Sequence, residues 1–336
     1  MQSGVLRMKI AILGAGAWGT ALAVALSTRQ AVTLWARDAA QAKAIDAARR
    51  NQHYLPEIAV PPEVRITGDL DEGLSGAELV IAAAPVAGLR TIAQALQSRG
   101  SRIPLVWLCK GFEEGSGLLP HQVVDEVLGA SPLACGALSG PSFALEVAQG
   151  LPCALTVAAR DVEFARGTAA ALHGGRLRIY YTDDLAGVEI GGAVKNVLAI
   201  AVGISDGMAL GQNARAALIT RGLAEIQRLG VALGASAETI MGLTGAGDLI
   251  LTATGTLSRN RKVGLELAQG RPLGEILGNL GHVAEGVRSA REALRLAERN
   301  AVEMPVTRAV SAVLDGAISP AAALEMLLSR DPRSEG

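Results

Sequence analysis

The chain has 336 residues, 50% of them hydrophobic, and its 31 basic and 32 acidic side chains leave a net charge of −1. That length accommodates two domains with substantial cores. The charge balance excludes the electrostatic footprint of a polyanion binder, so nucleic acid is not an expected partner and any phosphate must be held locally.

Residues 7–28, RMKIAILGAGAWGTALAVALST, begin with Arg7 and Lys9 and run uncharged from Ile10 to Thr28. A basic start, an apolar run and the small residues Ala23-Val24-Ala25 imitate a secretory signal, but three glycines inside the run argue for a strand, a loop and a helix instead. Short apolar runs then alternate with helical patterns: VTLWA, LVIAAA and PLVWLC are separated by DAAQAKAIDAARR and GLRTIAQALQ. Such alternation predicts βαβ units and a doubly wound parallel sheet, continuing through ACGALSG and LPCALTVAA to LRIYYT. The uncharged stretch 127–145 matches a membrane span in length, but five glycines and prolines break it into strand and turn. From about Val188 the texture becomes long Ala/Leu/Ile-rich helical periodicity without further strands. The expected organisation is a Rossmann-type α/β domain over residues 8–187 and an all-α substrate domain over 188–330.

Gly14, Gly16 and Gly19 spell G-x-G-x-x-G between the strand KIAIL and the helix WGTALAVAL. In that setting the first glycine permits a tight turn, the second lets backbone approach a pyrophosphate, and the third allows close helix–strand packing. The phosphates then meet the N–H groups at the helix start. After the second strand the chain reads Ala36-Arg37-Asp38. Arg37 suits a 2′-phosphate and favours NADP, with NAD also accommodated, whereas Asp38 falls too late to hold a ribose diol; the competing reading makes Arg37 a solvated loop residue. The second glycine cluster, Gly245-Ala246-Gly247-Asp248, lacks a preceding strand and has Ile250 in place of a third glycine. It predicts a close backbone turn that presents Asp248.

Reduction of a carbonyl by a nicotinamide cofactor requires a proton donor. No Tyr is followed four residues later by Lys, and His53, His121, His173 and His282 lack an apolar helical setting with a nearby carboxylate. Lysine is scarce, at positions 9, 43, 110, 195 and 262, and Lys195 interrupts the apolar run IGGAVKNVLAIAVGI. Burial draws a lysine pKa down from about 10.4 into the range useful for proton transfer, with Glu189 and Asp248 as candidate tuning groups; a lysine snorkelling out of a buried helix is the competing reading. Asn196 beside it reads as a ligand donor or a helix-surface amide. Ser258-Arg259-Asn260-Arg261-Lys262 joins a serine cap to three cations at a helix start, a local anion site against the alternative of a solvated charge run. Lys110 ends the strand PLVWLC, and SGPSFA at 139–144 forms a second strand-end turn, both where open α/β sheets bind ligands. Cys109, Cys135 and Cys153 form no CxxC pair and predict neither disulfides nor a metal site, which fits a reducing cytoplasm.

In this order and spacing, GAGAWGTALA, YLP at 54–56, KGFE at 110–113, SGPSFA, GVEIGGAVKN, AALITRGLAEI, GLTGAGDL, SRNRKVG and AEGV at 284–287 resemble the bacterial NAD(P)-dependent glycerol-3-phosphate dehydrogenase family, with its 6-phosphogluconate-dehydrogenase-like architecture. The resemblance covers almost the whole chain. It implies reduction of dihydroxyacetone phosphate to sn-glycerol 3-phosphate, a phospholipid precursor, by a cytoplasmic homodimer without a membrane span. It further implies that Lys195 moves the proton, that Lys110, Gly140, Ser142 and Asp248 hold the substrate, and that Ser258, Arg259 and Asn260 bind its phosphate. Ala17, Trp18, Arg37, Lys110, Ala144, Arg259, Val283 and Glu285 fall at cofactor-contacting positions. The chain departs from the family pattern at Cys109, where a small hydroxyl residue is common, and at Asp38, where some relatives carry a second base. Residues 1–7 precede the usual start of the pattern, which makes Met8 a candidate initiator. Rival readings are a hydroxyacid, hydroxyacyl-CoA or ketopantoate-type enzyme of the same architecture and a non-catalytic NADP sensor. The SRN segment argues for a phosphate monoester, and Lys195 with Asp248 argues for turnover.

Overall fold

The computed structural model describes residues 7–129, 133–280 and 284–329. The chain divides into two units between Leu185 and Ala186, at the first residue of the helix Leu185–Gly207.

In the first unit the apolar runs become strands: β1 (Lys9–Leu13), β2 (Ala31–Trp35), β3 (Arg50–Asn51), β4 (Leu55–Ala59), β5 (Arg65–Thr67), β6 (Leu79–Ala82), β7 (Leu105–Trp107), β8 (Cys135–Ser139), β9 (Cys153–Ala158) and β10 (Leu177–Thr182). Eight of them form one sheet in the order β10-β9-β8-β7-β6-β1-β2-β5, and β3 and β4 form a separate antiparallel pair. The central strands read as unbroken apolar runs because they are covered on both sides: β6, Leu79–Ala82, is buried at every residue. From β1 the chain first builds outward through β2 to β5, then returns to place β6 on the other side of β1. The strand order thus reverses direction at β1, and in doubly wound sheets ligands bind at the strand carboxyl ends beside such a switch point.

The sheet is not wholly parallel. β9 runs antiparallel to β8, whereas β10 is parallel to β9. Between β8 and β9 the only helix is α6 (Ala144–Ala148), too short for a crossover, so the chain turns back along the same edge. β9 and β10 are joined through α7 (Val162–Leu172), which supports a parallel return. The remaining helices of this unit are α1 (Ala17–Leu26), α2 (Ala39–Ala48), α3 (Leu70–Leu74), α4 (Val86–Ser98) and α5 (Pro120–Leu128). The β3–β4 pair, hidden in sequence by Pro56 and neighbouring charges, follows Arg49, which adopts a left-handed conformation with φ 46°. Its guanidinium donates to the carbonyls of Val60, Pro61 and Val64 and pairs with Asp46 at 2.8 Å.

The described part of the second unit is helical: α8 (Leu185–Gly207), α9 (Gly211–Ala232), α10 (Ala237–Met241), a π-helical turn at Leu243–Gly247, α11 (Asp248–Thr254), α12 (Arg259–Ala268), α13 (Leu273–Leu280), α14 (Glu285–Arg299), α15 (Pro305–Leu314) and α16 (Pro320–Leu328). Helix α8 is long and apolar enough to cross a membrane by length and composition, yet 94% of its most apolar window is buried inside the protein, the behaviour of a core helix. Asp206 near its end receives Arg215 of α9 at 2.7 Å and Arg261 of α12 at 2.6 Å, tying three helices together.

Helix α15 has no side-chain cap at its own N-cap residue, Met304. Glu225 of α9, 1% exposed, supplies one: its carboxylate accepts the N–H of Val306 at 2.5 Å, the N–H of Thr307 at 3.0 Å and the Thr307 hydroxyl at 2.8 Å. Burial pushes the Glu225 carboxyl above its usual range, with these hydrogen bonds opposing the shift. Glu225→Ala is expected to cost about 2–4 kcal/mol in urea unfolding, because buried donors lose their acceptor. A folded-state pKa above the unfolded value of about 4.3 favours the protonated form, so its stabilising contribution is full below that value and fades as pH rises through the folded one. The stability advantage of the wild type over Glu225→Gln is therefore expected to shrink from acid towards neutral pH; a constant difference would refute the assignment.

Candidate active site

Gly14, Gly16 and Gly19 each do a different job at the carboxyl end of β1. Gly14 has φ +126°, and a Cβ there would come 2.5 Å from the Ala83 carbonyl oxygen just after β6. A Cβ on Gly19 would meet the Gly14 carbonyl at 2.0 Å, whereas one on Gly16 would meet nothing within 4 Å. The loop is thus closed on two sides and open at the position expected to approach a pyrophosphate. Gly16 is also the N-cap of α1 and has no side chain to offer, which leaves the first N–H groups of that helix without a side-chain cap. Ala17 and Trp18 open α1 and are half-buried, and α6, which starts at Ala144, packs against α1. These features fit a bound dinucleotide pyrophosphate.

Arg37 is exposed at the end of β2. Asp38 is occupied as the N-cap of α2, accepting the Ala40 N–H at 2.8 Å, which gives it a structural role. Lys110 and the SGPSFA turn follow the neighbouring parallel strands β7 and β8, so register brings them together. The Gly140 carbonyl accepts from Lys110 Nζ at 3.1 Å and from Ser142 Oγ at 3.1 Å. Glu113 of the KGFE motif anchors its own loop, accepting Arg90 Nε and Nη2 at 2.8 Å each and Ser116 Oγ at 2.6 Å. The Arg90 guanidinium beside it holds the Glu113 carboxyl below the usual carboxylate range.

In the second unit Lys195 is 6% exposed and Asp248 1%. Lys195 Nζ donates to Asp248 Oδ1 at 2.5 Å and to Thr252 Oγ1 at 2.9 Å, and the Thr252 hydroxyl bonds back to the Asp248 carbonyl at 2.6 Å. The pairing depends on close backbone approach. A Cβ on Gly191, one turn before Lys195, would stand 3.0 Å from the Thr244 carbonyl oxygen, and one on Gly245 would stand 1.9 Å from that of Ile240. The glycines expected to turn the backbone and present Asp248 do so within a π-helical turn. Glu189 is buried on the same helix as Lys195. The arrangement is a desolvated ammonium held by a carboxylate and a hydroxyl, suited to moving one proton.

Helix α12 starts at Arg259 with Ser258 as N-cap, whose hydroxyl accepts the Arg261 N–H at 3.2 Å. The three cations of this segment divide their duties. Arg261 is committed to Asp206, and Lys262 lies 3.9 Å from Glu266; Arg259 is exposed and enters no ion pair among the described residues. Two of the three cations at 258–262 are thus engaged with carboxylates of this unit. Asn260 is buried with its side-chain amide engaged on both sides: it donates to Asn196 Oδ1 at 2.9 Å and accepts the Gly286 N–H at 3.0 Å. Asn196 in turn donates to Glu285 Oε2 at 3.3 Å. Asn196 is buried, 3% exposed, which excludes the surface-amide alternative. Val283 and His282 lie outside the described residues.

The sequence alone singles out none of Thr252, Asn51 and Gln41. Thr252 stands four residues after Asp248, so both fall on one face of α11, a signal present but unremarkable in an apolar stretch. Asn51 and Gln41 hold the glycine loop from distant segments, which no local pattern reveals. The cysteines are free thiols, and among the described residues no three His, Cys, Asp or Glu side chains gather to hold a metal.

Residues 9–165 match the family model for the N-terminus of NAD-dependent glycerol-3-phosphate dehydrogenase, and residues 184–325 match its C-terminus. The chain is 60% identical over 333 residues to glycerol-3-phosphate dehydrogenase [NAD(P)+] of Paucimonas lemoignei, covering 98% of each chain. It is 58% identical over 328 residues to the protein of the same name from Dechloromonas aromatica, covering 98% of this chain and 99% of the relative. Among solved structures, glycerol-3-phosphate dehydrogenase from Coxiella burnetii superposes with a TM-score of 0.91 at 40% identity, over 96% of this chain and 99% of the other.

Proposed function

Because the chain belongs to the NAD-dependent glycerol-3-phosphate dehydrogenase family, we propose that it is an oxidoreductase that reversibly reduces dihydroxyacetone phosphate to sn-glycerol 3-phosphate with NADPH or NADH. The observation that carries this reading is the buried Lys195–Asp248–Thr252 constellation. The reduced nicotinamide, when bound, supplies the hydride for the carbonyl carbon. Lys195 supplies the proton for the carbonyl oxygen, so that one hydride and one proton convert the ketone to the secondary alcohol. Asp248 and Thr252 orient the ammonium; the reverse reaction returns the proton to the amine. Arg259 and the capped start of α12 at Ser258 and Asn260 are assigned to the phosphate, and Lys110, Gly140 and Ser142 to the substrate. Ala17, Trp18, Arg37, Lys110, Ala144, Arg259, Val283 and Glu285 are assigned to the cofactor along with Gly14, Gly16 and Gly19.

The decisive measurement is oxidation of NADPH and of NADH with dihydroxyacetone phosphate; absence of turnover with both would refute the proposal. Arg37 is the 2′-phosphate contact in this reading. Arg37→Ala is expected to raise KM for NADPH about tenfold and leave KM for NADH within about twofold, the loss of one charge-assisted contact; equal changes would remove Arg37 from cofactor choice. The same reading makes the enzyme a cytoplasmic homodimer that supplies glycerophospholipid synthesis, with light scattering as the check on its mass.

A further inference from the structure

We propose that Asn51, together with Gln41, is a positioning residue for the cofactor: the two side chains fix the peptide between Ala15 and Gly16 so that its N–H faces the pyrophosphate. The inference rests on the reading of the glycine loop as a dinucleotide site and adds a part that the glycine pattern does not contain. Asn51 is 1% exposed on β3. Its amide nitrogen donates to the Ala15 carbonyl at 2.9 Å and to the Thr20 hydroxyl at 2.8 Å. Gln41 of α2 donates to the same Ala15 carbonyl at 3.0 Å. One carbonyl oxygen inside the glycine loop is therefore gripped by two amide donors from separate elements, and Asn51 ties the grip to the first turns of α1.

The consequence follows from peptide geometry. The C=O and N–H of a planar trans peptide point in opposite directions. Holding the Ala15 oxygen towards Asn51 and Gln41 aims the Gly16 N–H away from them. At Gly16 a Cβ would meet nothing within 4 Å, and the neighbouring N–H groups at the start of α1 carry no side-chain cap. With no side chain on Gly16, this peptide has little resistance to flipping on that side; the amide pair supplies it, so the donor array is set before the anion arrives. Gln41 adds a second link, because α2 begins directly after Arg37 and its cap Asp38. The loop that meets the pyrophosphate and the helix that follows the 2′-phosphate contact share one hydrogen-bond acceptor.

The test is fluorescence titration of NADPH and of NADH with wild type, Asn51→Ala and Gln41→Ala, alongside steady-state kinetics and thermal unfolding of each. Asn51→Ala is expected to weaken both cofactors about tenfold, by the same factor because the pyrophosphate is common to both, and Gln41→Ala about threefold. The increase should appear in KM for the cofactor rather than in kcat or in KM for dihydroxyacetone phosphate. Unchanged cofactor affinity in a folded Asn51→Ala protein, even with a lowered Tm, would overturn the proposal, since that is the signature of a purely structural amide. If Asn51→Ala does not fold, the half-buried Gln41 decides alone: a threefold loss supports the assignment and an unchanged affinity refutes it. Wild type that binds neither nucleotide would instead refute the dinucleotide reading itself.

Discussion

Replacing Lys195 by methionine is expected to lower kcat for dihydroxyacetone phosphate reduction by about 10³–10⁴-fold, at the upper end of what a positioned general acid contributes, while NADPH binding persists. The size of the effect has to be separated from stability, because Lys195 and Asp248 form a buried ion pair at 2.5 Å with side chains 8% and 2% exposed. Removing one partner of such a pair leaves the other charge uncompensated and costs about 3–5 kcal/mol, a sizeable part of the 5–15 kcal/mol that stabilises a folded protein. The double variant Lys195→Met/Asp248→Leu removes both charges and is expected to recover most of that stability without recovering turnover. Lys195→Arg supplies the complementary control. It keeps a cation opposite Asp248 but does not release a proton near neutral pH, so it should bind NADPH and remain at least about 10²-fold slow. Normal kcat in either lysine variant, measured as NADPH oxidation, would remove Lys195 from the proton-transfer step.

Arg259→Ala should lower kcat/KM for dihydroxyacetone phosphate by about 10²-fold, the loss of a charge-assisted contact worth about 1.5–3 kcal/mol. With dihydroxyacetone, which lacks the phosphate, the same variant is expected to differ little from wild type. The reason lies in how the segment is built. Arg261 is drawn off to Asp206, Lys262 lies beside Glu266, and the Asn260 amide is spent on Asn196 and Gly286. The guanidinium of Arg259, exposed at the start of a helix whose dipole favours an anion, is therefore the charge proposed for the phosphate. Comparable losses with the phosphorylated and unphosphorylated substrates would count against this role. Because Arg259 is also assigned to the cofactor, KM for NADPH must be followed in the same variant, and a larger change there than for the substrate would move its main duty to the nucleotide.

Much of the candidate site is legible in the sequence because its signals are local. The glycine spacing works within one βα turn, the serine cap acts within four residues of α12, and a lysine in an apolar run marks itself by contrast with its neighbours. A charge's partner is invisible in a linear pattern: within 258–262, Arg261 is paired with Asp206, 55 residues away. Asn51 and Glu225 share that invisibility. Each is a polar residue whose importance comes from an orphaned backbone group brought to it by folding, the Ala15 carbonyl in one case and the start of α15 in the other.

The sequence by itself determined the alternation of buried strands and helices, the switch to a mostly helical second half, the glycine loop after β1 and the identity of the lysine worth testing, because periodicity, glycine geometry and capping are written over a few consecutive residues. Only the tertiary structure decided that β9 turns back against β8, that two distant amides hold the loop's carbonyl, and that Lys195 meets Asp248 and Thr252. Those outcomes depend on which elements lie side by side. Lys195 and Asp248 are 53 residues apart in the chain and 2.5 Å apart in the fold; packing α8 against the π-helical turn through Gly191 and Gly245 creates that neighbourhood.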